Sequence, residues 1–202
     1  MRRAPRVLGA LLCGALVLGA CSVESSTSSD PGSETHLDDG SGDLLRGPDA
    51  ATKAVDAIAK AVGASPMKVR EVLVYPEFLD AEAQDPALPD HLDEYTYRDG
   101  EVGPPEAVLL SGPQAEVDAA LFPTTAVDWD DLPKIVKRVE KAARTAKPTP
   151  IEDARVNYVI ANRSSDPADD GRVELAAYIG GPRRNGYAQV TPTGEIVELR
   201  VD

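Results

Sequence analysis

The sequence predicts an α+β fold, built as two tandem copies of a helix followed by an antiparallel meander, with the helices packed on one sheet face. Three observations carry that prediction. An apolar stripe of helical period occurs twice, at Ala51, Ala54, Val55, Ile58, Ala59 and Val62, and again at Leu132, Ile135, Val136, Val139 and Ala143. Each stripe is followed by short segments rich in β-branched and aromatic residues. Each set of segments holds a glycine turn, Asp99-Gly100 in the first and Thr193-Gly194 in the second.

The first helix starts after Pro48-Asp49, which reads as a cap, and Gly63 and Pro66 stop it. Met67 to Tyr75 is β-branched and alternating, and Phe78 to Gln84 extends the pattern beyond Pro76. Pro86 and Pro89 mark a loop. Glu94 to Arg98 is a further strand, Asp99-Gly100 turns the hairpin, and Glu106 to Leu110 closes the first copy, about 50–111. The second copy, about 128–202, opens with Asp128 to Asp131 around Trp129. Pro133 falls in its first helical turn, where the missing N–H costs nothing. Strands follow at Arg155–Asn162, Arg172–Ile179, Tyr187–Thr191 and Ile196–Val201. The second copy is the longer, and its surplus falls at the hairpin loops Ser164–Gly171 and Gly180–Gly186. One helix per copy covers one sheet face, so the opposite face must meet solvent or a partner.

Ahead of these copies stand a basic start (Arg2, Arg3, Arg6), an apolar run from Val7 to Leu18, and the tetrapeptide Leu18-Gly19-Ala20-Cys21. The run is shorter than the roughly 20 apolar residues that cross a bilayer. It has the layout of an export signal. Arg2-Arg3 carries no apolar consensus of the twin-arginine kind. The tetrapeptide resembles the lipobox of bacterial lipoproteins. That resemblance implies removal of residues 1–20, a lipid on the Cys21 sulfur, and attachment to the extracytoplasmic face of the cell membrane. Two or more acyl chains, as the resemblance implies, anchor stably where one does not. Cys13 would leave with the signal, so no disulfide, thiol nucleophile or cysteine metal site is expected.

Residues 21–49 are rich in Ser, Gly and acidic residues with few apolar ones, and read as a disordered tether. As a flexible coil its ends would lie about 30 Å apart. His36 falls inside it and is given no role. The folded part is then expected at 50–202.

The whole chain carries 34 acidic against 21 basic residues, a formal net charge of −13. Loss of Arg2, Arg3 and Arg6 would make it more negative. Such a surface repels phosphate backbones and anionic headgroups, which argues against a nucleic-acid partner and leaves the lipid as the sole membrane attachment. No cofactor is expected.

Two further resemblances concern the folded part. The tandem helix-plus-sheet copies are similar to PepSY-type domains and to the β-lactamase-inhibitor-protein type of architecture. The stretches V-R-E-V-L-V-Y-P, E-A-Q-D-P and Y-T-Y-R-D-G-E-V (residues 69–76, 82–86 and 95–102) resemble an actinobacterial lipoprotein family of unknown function. Neither implies an activity or supplies catalytic residues.

The residues themselves offer four candidate chemistries. His91, flanked by Asp90 and Asp93, would serve a hydrolase with Ser111 as nucleophile, but no G-x-S-x-G motif accompanies it. Asp90, Asp93 and Glu94, within a run that includes Asp80, Glu82 and Asp85, are weak candidates for Ca²⁺, which takes six to eight oxygens. Asp166, Asp169 and Asp170 do not fit the alternating calcium loop. Tyr95 and Tyr97 share a strand face, with Tyr187 at the matching place in the second copy, and together suit a protein or peptide partner. Arg183 and Arg184 form the one locally basic loop. The reading that results is a lipid-anchored, non-enzymatic, extracytoplasmic binding or regulatory module for a protein, peptide or wall component. The alternatives are a Ca²⁺-dependent structural or binding protein, then a hydrolase using His91.

Overall fold

The computed structural model describes residues 42–164 and 171–202. Cys21 and the segment around it, the expected tether up to residue 41 with His36, and Asp166, Asp169 and Asp170 lie outside the described residues.

Helix α1 (Ala50–Val62) buries the six stripe positions predicted for it. Gly63 ends it at φ 79°, a left-handed conformation natural to glycine, and its N–H donates to the Ala59 carbonyl over 3.0 Å. Asp49 is no side-chain cap: it sits at φ 55° and makes no capping hydrogen bond. Five strands follow, β1 (Lys68–Val74), β2 (Phe78–Gln84), β3 (Leu92–Arg98), β4 (Glu101–Val102) and β5 (Glu106–Ala107). Asp99 at φ 53° and Gly100 at φ 85° form the tight turn that their dipeptide predicts.

The connector to the second helical stripe holds structure that the periodicity did not reveal. It contains α2 (Gln114–Ala120), β6 (Phe122–Pro123) and two 3₁₀ turns at Thr124–Ala126 and Trp129–Asp131. Helix α2 buries Val117 alone, so its seven residues carry almost no apolar signal. Trp129 is buried and donates from Nε1 to the Thr124 carbonyl over 2.9 Å, which fixes this connector to the core. Helix α3 (Leu132–Thr145) has Pro133 in its first turn and buries its predicted stripe together with Glu140. Then come β7 (Arg155–Arg163), β8 (Val173–Gly180), β9 (Asn185–Val190) and β10 (Ile196–Val201).

All ten strands join one antiparallel sheet in the order β10-β9-β8-β7-β1-β2-β3-β4, with β5 beside β3 and β6 beside β1. On one face, Val69, Val72, Val74, Leu79, Ala81, Ala83, Val156, Val159, Ala161, Leu175, Ala177, Ile179, Ala188 and Val190 are buried in the core that α1 and α3 cover. Strand alternation sends the intervening residues to the other face, where α2 covers only the β3 end, burying Leu92 against Val117 and Leu121, and where no helix among the described residues covers the rest. Full burial of a Val, Leu or Ile side chain contributes about 1.5–3 kcal/mol, so this core, larger than the second cluster of Leu92, Val117 and Leu121, is the main source of stability.

The folded part begins before residue 50. Leu44 and Leu45 are buried in the same core, and the Leu44 N–H donates to the Pro76 carbonyl over 2.8 Å. Two leucines amid Ser, Gly and Asp are too sparse to show as a periodic element, which is why composition assigns them to the tether.

Glycine is required at one close approach in the sheet. A Cβ on Gly186 would lie 2.4 Å from the Arg200 carbonyl oxygen and 3.0 Å from Ile151 Cδ1. Backbone cannot yield cheaply there, so Gly186→Ala is expected to cost about 1–3 kcal/mol by overpacking. Urea denaturation of the variant would measure it, and Gly42→Ala, which meets nothing within 4 Å, serves as the control.

Candidate functional site

The uncovered face of the sheet carries a row of aromatic rings running across the strands. Phe78 and Tyr75 flank the β1–β2 turn, and Tyr158, Tyr178 and Tyr187 sit in cross-strand register on β7, β8 and β9. Neighbouring rings stack at 4.6 Å (Tyr75–Phe78), 4.9 Å (Tyr75–Tyr158) and 4.5 Å (Tyr158–Tyr178), and Tyr178 meets Tyr187 at 6.1 Å. The guanidinium of Arg98 lies 4.6 Å from the Phe78 centroid at one end, and that of Arg200 lies 5.6 Å from Tyr187 at the other. The row therefore closes itself. Its ring faces contact one another, and Tyr178 is the most exposed of them at 36%.

A second row runs parallel to the first, two residues along each strand. It reads Thr96, Asp80, Leu73, Ile160, Ala176, Gln189 and Glu198, each the registered neighbour of the next. Its middle is apolar and half-buried. Thr96 Oγ1 donates to Asp80 at 2.6 Å, and Tyr187 donates its hydroxyl to Glu198 at 2.9 Å. The third row is acidic: Glu106, Glu94, Glu82, Glu71, Asn162 and Glu174. Arg70 holds Glu82 through two hydrogen bonds, of 2.5 and 2.8 Å. Burial, then the neighbouring Glu82 carboxylate, pushes the Glu71 carboxyl above its ordinary range. Burial, then Asp80 and Glu82, does the same to Glu94.

The residues singled out from sequence fall in several places. Tyr187 belongs to the aromatic row. Tyr95 and Tyr97 do not: paired with Ala81 and Leu79, they point to the helix-covered face and pack on the core. Their alternation with Glu94, Thr96 and Arg98 carries that information, and Tyr75, Phe78, Tyr158 and Tyr178 take the place expected of them. Arg183 and Arg184 line a separate cleft of about 340 Å³ with Pro148, Thr149, Pro150 and Glu152. Asp93 and Glu94 are successive strand residues and point to opposite faces, so they cannot converge on one cation with Asp90. Among the described residues, no three His, Cys, Asp or Glu side chains are grouped to hold a metal. His91 is exposed in the turn after β2, and no hydrogen bond joins its ring to Asp90, Asp93 or Ser111 among the described residues.

A scan against protein-family models and searches of curated proteins and of solved structures found no match to this chain.

Proposed function

We propose that this chain is a lipid-anchored, extracytoplasmic binding module without catalytic activity, and that its ligand lies on the uncovered sheet face. The observation that carries the reading is the three-row surface of aromatic, apolar and acidic side chains, which lies beside the patch that α2 covers at Leu92. The anchor rests on Leu18-Gly19-Ala20-Cys21. The duplicated architecture belongs to the same proposal. A helix followed by antiparallel strands occurs on each side of the β1–β7 junction, α1 by β1–β5 and α3 by β7–β10, and β1 and β7 pair antiparallel there, as two related copies joined about a local two-fold would. The described chain enters the fold beside Pro76, at the strand ends that carry Tyr75 and Phe78.

Crosslinking on intact cells tests both parts. The full-length protein, with Cys21→Ala and with Tyr75→Ala/Tyr178→Ala as variants, would be tagged and its captured partners identified by mass spectrometry. Cross-strand aromatic pairs contribute about 0.2–1 kcal/mol each, so the tyrosine variant is expected to remain folded. The expected result is a stoichiometric partner that is lost in the tyrosine variant, with metabolic acyl labelling lost in Cys21→Ala. A partner retained by the tyrosine variant would move the binding surface elsewhere, and acyl label retained by Cys21→Ala would remove the anchor.

A further inference from the structure

The acidic row is left electrostatically unbalanced by the rest of the chain. Glu94, Glu82 and Glu71 are direct cross-strand neighbours, with Glu106 beyond Glu94. Adjacent strands lie about 4.8 Å apart, and like charges directly opposite are destabilising. Arg70 hydrogen-bonds Glu82 and reaches Glu71 only through space, while Arg98 and Arg200 are spent at the ends of the aromatic row. Neither Glu71 nor Glu94 accepts a side-chain hydrogen bond among the described residues, and Asn162 and Glu174 continue the row beyond them. Beside these carboxylates lies the apolar strip of Leu73, Ile160 and Ala176, half-buried without a cover. A sheet face that retains unpaired acids next to apolar surface has the complement of a cationic, partly apolar molecule.

We infer that the partner of this face is a basic polypeptide segment lying across the strands, with lysine or arginine side chains over Glu71 and Glu94 and apolar side chains on Leu73, Ile160 and the aromatic row. The inference rests on the uncovered face being the binding surface. Other chemistries fit less well. A hard divalent cation needs six to eight converging oxygens, whereas these carboxylates are strung one per strand. A glycan stacks on open ring faces, and those of Tyr75, Tyr158 and Tyr178 are taken by each other. A polyamine would satisfy the acids and leave the apolar strip bare. Anionic lipids and nucleic acids are repelled.

The test is titration of the full-length protein with a synthetic peptide of alternating lysine and tyrosine. Counterparts with glutamate or serine in place of lysine, and spermine, are titrated alongside. Two charge-matched variants separate the face from the bulk charge: Glu71→Gln/Glu94→Gln on it, and Asp56→Asn/Glu152→Gln away from it. The lysine peptide is expected to bind, with affinity about tenfold weaker and a flatter salt dependence in Glu71→Gln/Glu94→Gln, and changed less than about twofold in the control. Because Glu71→Gln/Glu94→Gln removes repulsion, its melting temperature is expected to hold or rise, so weakened binding cannot come from unfolding. Equal binding of the serine or glutamate peptide, abolished by Tyr75→Ala/Tyr178→Ala, would overturn the basic partner and keep the face. Equal weakening by both charge variants, with no effect of the tyrosine variant, would overturn the face as well. Spermine binding as tightly as the peptide would overturn the polypeptide, and no binding of any probe would overturn the inference outright.

Discussion

Glu140→Ala is expected to destabilise the fold by about 3 kcal/mol, the low end of the range for breaking a buried ion pair. Glu140 stands in the core-facing stripe of α3 with its side chain 8% exposed. It accepts from Arg46 Nη2 at 2.7 Å, from the Val156 N–H at 3.0 Å and from Arg144 Nη2 at 3.2 Å. Arg46 in turn donates to the Val156 carbonyl at 2.8 Å and to Asp43 at 3.0 Å. Removing the carboxylate leaves a 23%-exposed guanidinium short of one partner and a β7 N–H with none, while Asp43 limits the loss. Glu140→Gln keeps an acceptor and is expected to cost less. Urea denaturation at neutral pH reads both, and equal stability of Glu140→Ala and wild type would refute the role given to this carboxylate.

The same site sets a pH dependence of definite sign. Burial works to raise the Glu140 pKa, but the hydrogen bonds from Arg46 and Val156 prevail and hold it below the usual carboxylate range. A depressed folded value means stability that is fully present above the unfolded carboxyl pKa and lost as pH falls through the folded one. Glu71 and Glu94, whose values are raised, act oppositely. They cost stability while ionised in the fold, and that cost is relieved as pH falls through their raised values, before Glu140 is affected.

The helical stripes, most strands and both glycine turns were legible because each rests on local chemistry: period, propensity or a required positive φ. Which sheet face a tyrosine occupies rests on register, and register is a non-local property. Tyr158 illustrates the difficulty, since a bulge between Val156 and Tyr158 shifts the alternation of β7 at that point. The aromatic row is invisible until five strands from both halves are laid side by side, and Tyr75 meets Tyr158 across a junction that joins residues far apart in the chain. Tyr95 and Tyr97 fail for a complementary reason: tyrosine is equally at home on a core margin and on an exposed face, so residue type alone does not choose. Glu140 was hidden because a carboxylate on an amphipathic helix ordinarily faces solvent. Its partner Arg46 lies in a segment whose composition reads as tether.

That segment carries the other large expected effect. Leu45 is completely buried and Leu44 nearly so, both in the core beneath the sheet. Leu45→Ala is expected to cost about 2–5 kcal/mol, through lost transfer energy and the cavity left behind. At about 2–4 °C per kcal/mol for a chain of this size, the melting temperature should fall by about 10 °C. Leu88→Ala, at a side chain 49% exposed, is expected to change stability by less than about 0.5 kcal/mol. A chain starting at residue 50 loses Leu44, Leu45 and the Arg46–Glu140 pair together, and is expected to melt lower than either single variant. If it melted with the full chain, residues 42–49 would be tether after all. The outcome bears on function as well as on stability. Under the proposed anchoring, a free joint at residue 50 would let the sheet tumble, whereas a joint packed beside Pro76 and tied to α3 holds the entering chain at the strand ends that carry Tyr75 and Phe78.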